Sequence, residues 1–96
     1  LFCRKHQNVW IYGAGAYGEK CLNRMHYLNV DFKGFIETKK EHDVIQGVEV
    51  RCIDDNSIKK EDGIIVAVGR KCIVNVLDEL KQRHFINYIC FVSNVL

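Results

Sequence analysis

The sequence predicts a small α/β domain in three layers, with a mainly parallel sheet of about four to five strands. Three observations carry that expectation. Short β-rich segments alternate with amphipathic helical ones along the 96 residues, a glycine-rich turn separates the first of each kind, and Gly63 to Gly69 is apolar without alternation. A strand that follows a helix in such a chain returns parallel to the previous strand through a right-handed crossover. An uninterrupted apolar strand is one covered on both faces.

In chain order, Asn8 to Tyr12 (N-V-W-I-Y) is β-branched and aromatic and stops at a glycine, so it is expected to be the first strand. From Tyr17 to Leu28, Cys21, Leu22, Met25 and Leu28 recur at helical spacing, with Glu19, Lys20, Asn23 and Arg24 on the other side. Asn29 suits the stop, and Val30 to Glu37 follows as the second strand. Beyond the charged stretch Thr38 to Asp43, Gly47 interrupts Val44 to Val50, which implies a turn and a minor strand. Asp54 to Ser57 are all cap formers, and Ser57 to Glu61 has room for about one helical turn. Gly63 to Gly69 is expected to be the central strand. Arg70 to Gln82 is expected to be a helix facing inward through Ile73, Val74, Leu77 and Leu80, and Tyr88 to Val92 the last strand. With no proline, linker or repeat, residues 1–96 read as one domain.

Composition narrows the function classes. A 48% hydrophobic, 27% charged chain is that of a folded globular protein, and a net charge of +2 with interspersed signs lacks the basic field of a nucleic-acid partner. No apolar run is long enough for a membrane-spanning helix and the start does not resemble a secretory leader, so no membrane insertion and a cytoplasmic location are expected. Cys3, Cys21, Cys52, Cys72 and Cys90 are odd in number and widely spaced, as expected of buried or half-buried free thiols. The four histidines have no helical metal-ligand spacing, and no metal is expected. A chain that begins at Leu1 and ends on the apolar segment Cys90 to Leu96 reads as a piece of a longer protein.

The chemistry is concentrated at Gly13-Ala14-Gly15-Ala16-Tyr17-Gly18. This G-x-G-x-x-G follows a strand, opens a helix and is followed by an acid, Glu37, at the next strand end, the context that gives the motif its weight in a Rossmann-like domain. Gly13 permits the tight turn, Gly15 admits a phosphate to the backbone, and Gly18 lets helix and strand approach. The free N–H groups of the first helical turn, together with the helix dipole, favour an anion. Glu37 could accept from two ribose hydroxyls, although Lys39 and Lys40 beside it could instead meet a phosphate. Gly69 and Arg70 stand where the Gly63–Gly69 strand gives way to a helix, Arg70 either as a fork of phosphate donors or as a water-facing cation. Tyr17 could cover a base or sugar, or simply lie on the helix surface. No nucleophile elbow, Cys–His signature or Tyr-x-x-x-Lys relay occurs, so no catalytic residue is assigned.

Four segments in order, V-W-I-Y-G-A-G-A-Y-G-E-K, G-F-I-E (Gly34 to Glu37), I-Q-G-V-E-V (Ile45 to Val50) and I-I-V-A-V-G-R (Ile64 to Arg70), resemble the N-terminal nucleotide-binding domain of bacterial PglD-like sugar O-acyltransferases. The resemblance runs from about Val9 to Phe91 and extends to similar domains attached to surface-polysaccharide glycosyltransferases. It implies that Gly13, Gly15 and Gly18 face the phosphates of a UDP-sugar, that Glu37 stands near base or ribose, and that Gly69 lies beside the ligand. It also implies that chemistry belongs to a covalently attached catalytic domain, a left-handed β-helix of hexapeptide repeats in the acyltransferases, of which this chain has none. The family often has Gly-His where Ala16-Tyr17 stand, and Asp or Asn in place of Arg70, which leaves the subfamily open.

The expected function is therefore nucleotide-sugar binding, with UDP-sugar first, as a module of a surface-polysaccharide transferase that is itself non-catalytic and able to assemble as a homo-oligomer. The alternatives are an NAD-binding domain of a sugar-nucleotide dehydrogenase and a Rossmann-like interaction domain that has lost its ligand; coenzyme A is a further ligand class for such domains.

Overall fold

The computed structural model describes residues 2–91. The order of elements is α1 (Phe2–Lys5), β1 (Val9–Tyr12), α2 (Ala16–Tyr27), β2 (Gly34–Glu37), β3 (Val44–Ile45), β4 (Val48–Cys52), β5 (Gly63–Val66), α3 (Arg70–Gln82) and β6 (Tyr88–Cys90). All six strands join one sheet in the order β3-β4-β2-β1-β5-β6. Every pairing is parallel except β3 with β4. The parallel strands run outward from β1 on both sides, an order consistent with a Rossmann-like layout in which connections reverse direction between β1 and β5.

Alternation along β1 builds the layers. Val9 and Ile11 pack with Cys21, Leu22 and Met25 of α2, Cys3 of α1, Phe35 and Ile65. Trp10 and Tyr12 point the other way, to Val76 and Leu80 of α3 with Ile36, Ile64 and Val66. Residues of β5 enter both clusters and all four are buried, as an uninterrupted apolar strand requires.

Both long helices stop on the same device. Asn29 (φ 55°) follows α2, with Val30 N–H donating to Met25 O at 2.9 Å and Asn29 N–H to His26 O at 3.1 Å. His84 (φ 67°) follows α3, with Phe85 N–H to Leu80 O at 3.0 Å and His84 N–H to Lys81 O at 3.1 Å. These are Schellman closures, each with an apolar residue just past the left-handed one folding back on the last turn. The sequence exposes the first through Asn29; His84, where glycine or asparagine is usual, gives no such signal.

Several expectations are corrected. Among the described residues the sheet has six strands rather than four to five, because Val44 to Val50 is not one minor strand but a hairpin. Gln46 (φ 50°) and Gly47 (φ 78°) form its tight turn, and β4 continues to Cys52 as a full parallel neighbour of β2. The second strand begins at Gly34, since Val30 to Lys33 are spent on the helix stop and the approach to the sheet. Gly63 to Gly69 is a strand only through Val66, and the middle of the parallel set is β1. Ser57 to Glu61 forms turns rather than a helix, with Asp55 accepting from Ser57 N–H at 2.8 Å and Ser57 Oγ at 2.6 Å. In α3 the inward stripe is Val76 and Leu80 with half-buried Ile73 and Leu77, while Val74 is 66% exposed. Cys72 is exposed, unlike the other four thiols. The last strand ends at Cys90, and Val92 lies outside the described residues. Among the described residues no helix is long and apolar enough to cross a membrane.

Candidate functional site

The turn after β1 is fixed by backbone. Gly13 N–H donates to Ile36 O at 2.9 Å, Ala67 N–H donates to Tyr12 O at 2.9 Å, and Gly13 has φ +116°, a region L side chains avoid. A Cβ at Gly13 would lie 2.7 Å from Val68 Cγ1 and closer still to Ala67 O. One at Gly18 would lie 2.9 Å from the Gly13 carbonyl carbon and closer still to its oxygen, so Gly18 is what lets α2 start against the turn. Gly15 differs from both. Its φ is −92° and no described residue comes within 4 Å of a Cβ built there, so the described residues place no demand for glycine at this position.

Gly15 is the N-cap of α2 and Gly69 the N-cap of α3, and among the described residues neither helix start receives a side-chain cap. Glu19 N–H to Gly15 O at 3.0 Å is the first α2 bond, which leaves the amides of Ala16, Tyr17 and Gly18 without an intrahelical acceptor. The two helices start beyond the carboxyl ends of adjacent strands β1 and β5. The Tyr17 ring joins them. A Cβ at Gly69 would stand 3.6 Å from Tyr17 Cε2, and Tyr17 is 49% exposed with Lys20 Nζ 5.4 Å from its ring centroid. Ala14 is half-buried, Ala16 is exposed, and Arg70 is exposed on the first turn of α3. The predicted residues from Gly13 to Gly18, with Gly69 and Arg70, therefore gather at one place, where two helix dipoles present their positive ends.

Glu37 ends β2 as expected, but its carboxylate is occupied. Oε1 accepts from Glu41 N–H at 2.9 Å and His42 N–H at 3.2 Å, and Oε2 lies 3.1 Å from His42 Nδ1. Burial works against the charge, yet these hydrogen bonds outweigh it and hold the carboxyl below its usual range. Sequence reasoning missed this clasp, whose signal is a carboxylate followed four and five residues later by the amides of a charged loop. It also missed the support below. The Tyr12 hydroxyl is hydrogen-bonded to Thr38 Oγ1, and Cys52 Sγ–H donates to Thr38 O at 3.2 Å. Burial comes first in raising the Tyr12 phenol above its ordinary value, so it is a neutral packing group.

Other reactive side chains do not converge here. Burial pushes the Cys21 thiol up to about 12 and raises that of Cys3, which leaves both as inert core thiols. Among the described residues no three His, Cys, Asp or Glu side chains are placed to hold a metal ion. Shallow depressions along the amino edge, around Asn8, Asp31, Phe32 and Lys33, lie at the other end of the strands.

No protein-family model matches this chain, and no curated protein sequence matches it significantly.

Proposed function

We propose that the chain binds a nucleotide-bearing ligand, a UDP-sugar first, with its phosphates over Gly13 to Gly18. One observation carries the reading: two helices that no described side chain caps begin beside each other at the carboxyl ends of β1 and β5, where connections reverse direction. Unpaired N–H groups and two dipoles favour a phosphate there, and the freedom of Gly15 is what such a ligand needs. The choice of UDP-sugar rests on the four-segment resemblance, as does the role of a non-catalytic module of a cytoplasmic surface-polysaccharide transferase. Glu37 at the end of β2 favours NAD as the second reading.

Thermal shift against UDP, UDP-sugars, NAD, NADP and acetyl-CoA tests the proposal. A UDP species at saturating concentration should raise Tm by about 5 °C or more. A response to NAD alone replaces the first reading by the second, and a response to none favours an interaction domain. The decisive variant is Gly15→Asp. Aspartate is at least as good an N-cap as glycine and has room here, so Tm of the free protein should stay within about 3 °C, while a carboxylate in the anion position abolishes the ligand response.

A further inference from the structure

The segment after β2 is pinned at its ends and clasped in the middle. At the first end, Thr38 bonds through its hydroxyl to buried Tyr12 and through its carbonyl to Cys52, and Ile53 N–H donates to Glu37 O at 3.0 Å. At the other, Val50 N–H donates to Asp43 O at 3.0 Å, tying the segment to the β3–β4 hairpin. All residues from Thr38 to Asp43 are exposed. Between the pins, the Glu37 carboxylate accepts from Glu41 and His42, and the Lys40–Asp43 ion pair at 2.9 Å is solvent-exposed and adds little.

A carboxylate has about four acceptor sites. Three are taken by Glu41 N–H, His42 N–H and His42 Nδ1. A ribose that offers two hydroxyls to the acid at this strand end needs two sites, one more than is free. Resting on the nucleotide reading above, we propose that Thr38 to Asp43 is a latch: Glu37 holds it closed in the free chain, and a ribose-bearing ligand opens it by taking the carboxylate. The released amides pass to water, so the exchange is nearly balanced and the latch can yield without unfolding its pins. A ligand with phosphate but no ribose has no reason to open it.

Amide hydrogen exchange on the full chain, read residue by residue by NMR with UDP, NAD and inorganic pyrophosphate as probes, tests this. In the free chain the Glu41 and His42 amides should exchange about tenfold more slowly than those of Lys39 and Lys40, and Glu37→Ala should remove the difference. UDP or NAD should shift the amides of Gly15 to Gly18 and accelerate exchange at Glu41 and His42 by about tenfold; pyrophosphate should do only the first. His42→Ala, a change on an exposed side chain, should tighten binding of the ribose-bearing probe by about fivefold and leave pyrophosphate unaffected. Ribose-bearing probes that shift the glycine amides while Glu41 and His42 keep their protection overturn the latch and leave the phosphate site standing. Unprotected Glu41 and His42 amides in the free chain overturn it as well. Silence of the glycine amides towards all three probes overturns the nucleotide reading and the latch together.

Discussion

At the amino edge of the sheet, Asp62 is 4% exposed, and its carboxylate accepts from Trp10 Nε1 at 3.0 Å, from Lys59 N–H at 2.9 Å and, at 3.5 Å, from Asn8 Nδ2. At the carboxyl edge, Gly15 and Gly69 begin two helices whose first amides meet no capping side chain. One edge closes its polar groups on themselves and locks β1 to the start of β5. The other leaves the first amides of two helices without a side-chain acceptor among the described residues, at a cost in helix stability that a bound anion would offset. On the proposed reading the difference is one between architecture and readiness for a ligand, and it divides the glycines of the turn as well. Gly13 and Gly18 are required by contacts within the chain, whereas Gly15 is not.

That division can be broken by substitution. Gly18→Ala is expected to have the largest effect, about 3 kcal/mol or more of lost stability, because its Cβ would press on the Gly13 carbonyl and neither backbone segment can give way. Denaturant unfolding measures it; a loss under about 1 kcal/mol would mean that the helix start slides freely and that the turn is not locked. Asp62→Ala comes next, at about 2–3 kcal/mol, since it leaves the buried Trp10 N–H without an acceptor. Asp62→Asn keeps one acceptor oxygen and should cost less; equal costs for the two variants would argue against the hydrogen bond as the source.

Glu37 supplies a smaller effect than either, one visible in acid. Its folded-state pKa lies below the ordinary carboxylate value, so on acidification the unfolded chain takes up the proton first. The stability it contributes is therefore present above about pH 4.3 and is lost as pH falls through the depressed folded value. Melting of the parent and Glu37→Gln between pH 3 and 6 should show the parent's advantage shrinking on the acid side. An advantage that is flat with pH would contradict the clasp. Against all of these, Gly15→Asp is expected to move stability least and ligand response most, which is the comparison between the two kinds of glycine in its sharpest form.

Much of this was legible in the chain. Arg70 to Gln82 is helical over the expected span, and the glycine turn lies between a strand and a helix as its spacing requires. Amphipathic period and turn chemistry are local, and local signals survive folding. Less legible were features that depend on partners distant in sequence. Val74 lies about 100° round the helical wheel from Ile73, on one flank of the stripe, and Val76 lies on the other; the packing surface of β1 and β5 takes Val76 and Leu80 and leaves Val74 exposed. The status of Gln46-Gly47 as a hairpin turn depends on β4 finding β2, and the fate of the Glu37 carboxylate depends on where the following loop folds.

The sequence by itself determined the alternation of strand and helix, the strand covered on both faces and the position of the glycine turn, because each is written in residues that adjoin one another or recur at a fixed period. Tertiary structure decided that β1 is the middle of the parallel set, that two uncapped helix starts meet across Tyr17 and Gly69, and that Glu37 is engaged by its own loop. Those outcomes are set by pairing register and by competition for hydrogen-bond donors across the fold, for which a linear pattern carries no term.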